Sequence, residues 1–188
     1  MSLWGASTTD ESKPKHLSDV EKRDVYATKE GWVKRTAGTG GRAGRVHEEI
    51  LVAIGDLSGG TAGTAKLAAG TISSTRFITT SLGAAAGGAF SAEVIYNEKV
   101  DVTGTPLLTV TNDTPSRNVT LSYASGTGTN RLTFTATVAA DATTVGDVLS
   151  VGVDAVTAAG TIKDAGTNTD SARTHSAQAA TTNITVAA

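Results

Sequence analysis

The chain has 188 residues, no cysteine, 21 glycines and an aromatic content of only 4%. So little large apolar material supports one modest core, and the missing thiols exclude disulfide staples, thiolate metal sites and thiol catalysis. A formal net charge of -2 offers no basic surface for sequence-independent nucleic-acid binding, and no stretch approaches the roughly 18 apolar residues that cross a bilayer.

In chain order, Met1–Pro14 shows neither the basic n-region nor the apolar h-region of a secretory signal. The expectation is therefore a chain made in a cytoplasm and kept there until something larger carries it out. Half of the charged residues, and both tryptophans, Trp4 and Trp32, fall within the first fifty positions. Residues 1–57 accordingly read as an extended, charged N-terminal arm.

Within the arm, Leu17–Lys29 is the one helix-like stretch. Ser18 followed by Glu21 forms a capping box, in which two otherwise unpaired N–H groups are satisfied reciprocally, and Leu17 supplies a hydrophobic staple. The apolar stripe of Val20, Val25, Tyr26 and Ala27 is too thin for an independent domain, so order has to come from docking on another surface. Gly38–Gly44 reads as a flexible linker or hairpin tip, and the apolar run inside Glu49–Leu57 as a buried strand. Residues 58–70, nearly all Gly, Ala, Thr and Ser, read as a second linker.

From residue 71 onward the period becomes two. Phe90, Ala92, Val94 and Tyr96 alternate with polar neighbours, as do Val119, Leu121 and Tyr123, then Leu132, Phe134, Ala136 and Val138, then Leu149, Val151 and Val153. Such alternation puts one face of a strand in a core and the other in water. Shorter strands are expected at Leu107–Thr111, Ala159–Ile162, Asn183–Ala187 and within Arg76–Leu82. Turn signals at Gly104–Pro106, Asn112–Pro115, Ser125–Gly128 and Asp164–Gly166 separate them. The predicted fold class is all-β: an immunoglobulin-like antiparallel β-sandwich over residues 71–188, preceded by the extended arm with its short helix.

Candidate chemistry is sparse. His16, His47 and His175 are scattered without a second ligand at metal spacing. The Gly38–Gly44 segment lacks the preceding strand, following helix and terminal Lys-Ser/Thr of a phosphate loop. Glu93, Glu98, Asp101, Asp141, Asp147, Asp154 and Asp164 cluster at strand ends, and Asn97–Asp101 is the edge best suited to Ca²⁺; without an EF-hand loop or a Gly-Asp nonapeptide repeat, no cofactor is expected there. No Ser elbow or nucleophile-base pair stands out, so an enzyme is not expected. Trp4 and Trp32 have few apolar residues nearby in the sequence to bury them, and tryptophan is enriched at interface hot spots. At least one is expected to insert into a neighbouring subunit. Trp4, Lys13, Lys15, Tyr26, Trp32 and Arg35 are the candidate partner-binding residues, the cations forming a polar rim around the aromatic anchors.

Two stretches resemble known families. Trp4-Gly5, Ser7–Lys15, Val25–Thr28 and Gly31–Val33, leading into Glu49–Ile54, resemble the shared opening of virion structural proteins of tailed phages, especially those of marine cyanobacteria. Val102–Thr111, Leu121–Asn130, Leu132–Phe134 and Gly160–Asp164 are similar to bacterial Ig-like repeats of large adhesins and of phage structural proteins. A single repeat without a secretion signal favours the virion over the adhesin. The resemblance implies a structural virion protein, foremost a capsid decoration or cement protein docked on the major capsid protein through its arm, homo-oligomeric or lattice-bound. The alternatives are a neck, tail or fibre component, distinguished by a far lower copy number, and a module binding a host-surface glycan through loops Asn112–Ser116 and Ser125–Asn130. Neither nucleic acid nor membrane is expected as a partner.

Overall fold

The computed structural model describes residues 13–37, 45–58, 67, 69–157, 159–174 and 183–188, and strand dominates them. One α-helix, α1 (Asp19–Lys22), precedes eleven strands: β1 (Val25–Thr28), β2 (Gly31–Ala37), β3 (Val46–Ala53), β4 (Ile72–Phe77), β5 (Gly88–Gly104), β6 (Leu107–Asn112), β7 (Val119–Ser125), β8 (Thr129–Val138), β9 (Val148–Thr157), β10 (Gly160–Asp164) and β11 (Ile184–Thr185). The fold is all-β, as the alternation predicts.

The strands form one hydrogen-bonded path in the order β11-β9-β6-β7-β8-β5-β1-β2-β3, with β4 and β10 added along β5. Each of these pairings is antiparallel except that of β1 with β5, a parallel contact of Ala27 with Glu98. The sheet is therefore mixed, and the parallel contact is where the N-terminal strands join the rest.

Alternation decides what lies inside. Phe90, Ala92, Val94 and Tyr96 of β5, Leu108 and Val110 of β6, Leu121 of β7, Leu132 and Phe134 of β8, and Leu149 of β9 are almost completely buried in one cluster. The same cluster takes in Ile184 of β11, at one end of the path, and Ile72 of β4, which pairs with β5. A flat sheet could not bring those together, so the path folds over itself and closes on the apolar face of each strand. Phe77 stacks at a tilt on Phe90, with ring centroids 5.3 Å apart, and Tyr123 sits edge-on to Phe134 at 6.0 Å.

Several boundaries differ from the sequence reading. The capping box forms as expected, with the Ser18 Oγ accepting from the Glu21 N–H and Glu21 accepting from the Ser18 N–H. The helix nevertheless ends after one turn, and Val25–Thr28 is strand β1. Three β-favouring residues, Val25, Tyr26 and Thr28, together with Ala27, gain a register with Gly31–Lys34 that a marginal isolated helix cannot match. The described residues between 25 and 53 are thus not an extended arm but an antiparallel meander, β1-β2-β3. Gly31 fixes its tight corner: φ is +134°, and a Cβ there would stand 2.0 Å from the Val52 carbonyl oxygen. The proposed flexible segment Gly38–Gly44 lies outside the described residues, between the paired ends Ala37 and Val46. Of the second linker, Ser58 is buried beside buried Leu57, Gly70 packs against Ser171 and Val100, and residues 59–66 and 68 lie outside the described residues. The strand expected in Arg76–Leu82 starts earlier, at Ile72.

Truncation of Phe134 to Ala is expected to cost about 3–5 kcal/mol, the usual penalty for emptying a fully buried aromatic site. Urea unfolding should report it as a lowered midpoint with unchanged slope.

Candidate functional site

N-terminal residues expected to meet another protein meet the chain's own strands β4, β5 and β8. On β5, the face opposite the core carries Glu93 and Ile95, yet both are buried. An ion network explains the first. The Glu93 carboxylate accepts from Arg76 Nε of β4 at 2.6 Å and from Arg131 Nη1 of β8 at 3.1 Å. Arg131 Nη2 also donates to the Arg23 carbonyl at 3.0 Å and to the Asp24 carboxylate. The end of α1 is therefore tied across β8 and β5 to β4.

Lys13 makes a second tie. Its ammonium donates to Ser73 Oγ at 2.9 Å and to the Lys22 carbonyl at 3.3 Å, and lies 5.7 Å from the centre of the Trp32 ring. Burial, and then the nearby Lys22 charge, lower its pKa from 10.5 to about 8. Trp32 is itself buried in a second cluster with Val25, Ala27 and Leu57, against which Leu17, Leu51, Val52, Ile54 and Leu67 pack. Tyr26, on the other face of the meander, is buried beneath Lys99, whose ammonium is 5.4 Å from its ring, and its hydroxyl donates to Glu48. Burial first, and the Glu48 contact second, push the phenol well above its usual range.

The candidate partner-binding set therefore divides. Tyr26 and Trp32 are only 2% exposed, so the expectation that they offer anchors to a neighbour is corrected: side chains far apart in the sequence supply the burial that adjacent residues could not. Lys13 is likewise turned inward. Lys15 is exposed and Arg35 half-buried, and both keep a surface position. Trp4 lies outside the described residues.

What the meander leaves uncovered is β3. It is the last strand of the path and, among the described residues, pairs only with β2. Residues 46–50 are exposed, including Val46 at 48% and Ile50 at 53%. Its charges, Glu48 and Glu49, lie between those two apolar side chains. The sequence reading took this segment as a buried strand because of its apolar run. Of that run Ile50 and Ala53 are exposed, while Leu51, Val52 and Ile54 are half-buried and pack against the second cluster.

The Ca²⁺-suited edge Asn97–Asp101 does not assemble a ligand set. Asn97 Oδ1 accepts from the Thr71 N–H at 2.6 Å, Glu98 is buried, Lys99 covers Tyr26, and Asp101 is exposed opposite Lys163. Among the described residues no three His, Cys, Asp or Glu side chains come together as a metal group. His16 and His47 are exposed, and His175 lies outside the described residues.

The two loops weighed for glycan binding sit at opposite ends of β7, about 20 Å apart by strand rise, so they do not form one platform. The first is knitted inward. Asp147 accepts from Asn112 Nδ2 at 2.8 Å and from the Thr144 N–H at 2.9 Å, and these bonds hold its carboxyl below the ordinary range. The second is closed by the Thr127 N–H donating to the Tyr123 hydroxyl at 2.8 Å.

No family model, no curated protein and no solved structure matches the chain.

Arg131→Ala is expected to cost about 2 kcal/mol, because it withdraws one charged donor from the buried Glu93 carboxylate while Arg76 remains. Asp24→Asn, at the half-exposed end of the network, should cost under about 1 kcal/mol. Thermal unfolding of both variants checks the order.

Proposed function

We propose that the chain is a non-enzymatic structural protein of a phage particle, a capsid decoration protein docked on the major capsid protein through its N-terminal part, with an Ig-like sandwich displayed outward. The resemblance of the Met1–Gly31 opening to virion structural proteins supports the particle. The strand orders support the Ig-like reading: β4-β5-β8-β7 and β6-β9-β11 match the ABED and CFG orders of that sandwich, while the hydrogen-bonded pairing of β6 with β7, which joins the two into one path, departs from it.

The observation that carries the docking reading is the exposed edge strand β3. An edge strand of eight residues, with no partner on its outer edge among the described residues, is a template for pairing with another chain, and proteins ordinarily blunt it with charged side chains, Lys above all, or with Pro. β3 carries Glu48 and Glu49 but no Lys or Pro, and exposes Val46 and Ile50 beside them. In an assembled lattice a neighbouring strand or loop would cover it, and the meander behind it is held rigid by its tie to the sandwich. The docking element is then the outer edge of a folded meander, with Lys15 and Arg35 as flanking charges.

Quantitative mass spectrometry of purified particles tests the assignment: copies in the hundreds mean decoration, a single ring's worth means a neck or tail connector, and absence from the particle removes the reading. Ile50→Lys is expected to weaken binding to particles lacking the protein by about tenfold or more, since one buried aliphatic side chain contributes at least that much. Its melting temperature should stay within a degree or two of the parent, the side chain being exposed in the free protein.

A further inference from the structure

The buried carboxyl of Glu98 has no part in the docking reading above. It occupies a place where the strand pattern calls for an apolar residue: Tyr96, Glu98 and Val100 are fully buried, while Asn97, Lys99 and Asp101 on the alternate face are more exposed. It also marks a break in the sheet. Ile95 pairs with Arg131 and Val100 with Thr129, so Tyr96–Lys99 bulge opposite Asn130 alone. Into that break β1 inserts, with Ala27 in register with Glu98.

One oxygen of the carboxyl, Oε2, accepts from Ser58 Oγ at 2.6 Å; the other, Oε1, is buried without a hydrogen-bond partner among the described residues. Ser58 is bound in turn to the meander, its N–H donating to the Thr28 carbonyl at 3.1 Å, while the Asp56 and Ile54 N–H groups donate to the carbonyls of Lys29 and Glu30. Beside this joint lies a cleft of about 270 Å³, whose walls include Ser58, Lys99, Asp164, Lys29 and Glu30. Those are the charged groups around it: Asp164 from the end of β10, Lys29 and Glu30 from the β1-β2 turn, and Lys99 from β5 itself. Asp164 is the one whose charge adds to the effect of burial on Glu98, and its own oxygens are engaged by the N–H groups of Gly166 and Thr167.

We propose that Glu98 is a pH-responsive latch between the N-terminal meander and the sandwich, holding β1 against β5 most firmly when its carboxyl is neutral and loosening that contact when it ionises. An ionised oxygen sealed from water with no donor is costly, whereas a neutral carboxyl at the same place is much less so. Burial, opposed by the Ser58 bond and assisted by Asp164, raises the carboxyl from 4.5 to about 6. The folded state thus holds the proton more tightly than the unfolded chain. The extra stability is fully present below about pH 4.5 and is lost as pH rises through about 6. The interval between those two values corresponds to roughly a 30-fold change in the docking equilibrium.

Hydrogen exchange followed by mass spectrometry on the full chain, corrected for intrinsic rates, tests the latch. Protection of Val25–Ala37, taken relative to Leu132–Val138, is expected to fall by up to about 30-fold between pH 4.5 and 8. Glu98→Gln, which cannot ionise, should keep the low-pH protection throughout. Ser58→Ala removes the one donor that favours the ionised form, so its transition should move to higher pH. Wild-type protection that is flat with pH, an unchanged profile in Glu98→Gln, or an unmoved midpoint in Ser58→Ala would each overturn the latch.

Discussion

The backbone of β5 sets the architecture. Seventeen consecutive residues in extended conformation present N–H and C=O groups along two edges, and each buried group needs a partner. β8 takes Gly88–Ile95, β4 takes much of the same span from the other edge, and β10 takes Val100–Gly104. Between these lies Asn97–Lys99, beyond the β4 register that ends at Tyr96 and before the β10 register that starts at Val100, where β8 too is out of register. β1 meets β5 there, Ala27 in register with Glu98, so the position of the N-terminal meander follows from the stretch of β5 left out of those ladders.

The face of β5 opposite the core is not wholly polar: Ile95 is buried, and Glu93 with it. Unpaired, that carboxylate would cost several kcal/mol, and the two arginines that meet it come from strands on either side. Arg131 also reaches the end of α1, so a single guanidinium neutralises a buried charge and tethers the segment that buries it. Burying an ion pair is weak evidence for stability in general; here its geometry specifies which surface the meander covers and at what height along β8.

Much of this was legible in the sequence, for a physical reason. Strands β5 to β9 alternate cleanly because one face of each meets a single core, and period two survives in any sequence under that constraint. The capping box at Ser18 and Glu21 was legible because it is local. β1 was not: Val25–Thr28 follows directly from a helix start, carries apolar residues that also fit a helical stripe, and becomes a strand only through pairing with β2 and β5. Trp32 misled for the same reason, its covering side chains being Leu17, Leu57 and others drawn in by folding. Glu98 did leave a trace, as an acid interrupting the alternation of Tyr96 and Val100, but strand-end carboxylates are common, and only the register break shows that this one is inside.

The N-terminal segment is therefore two things at once. Its inner strands, β1 and β2, with Trp32 and Tyr26, pack against the rest of the chain, and the ion network holds them there. Its outer strand β3 inherits rigidity from that attachment while keeping a free edge and two exposed aliphatic side chains. A disordered arm would lose much of its contact energy to ordering on binding. A strand edge already fixed in register loses far less, because its backbone entropy was given up when the chain folded. On the proposed reading, the residues that looked most like anchors, the tryptophan and tyrosine, serve binding at one remove: they fix the strand that makes the contact.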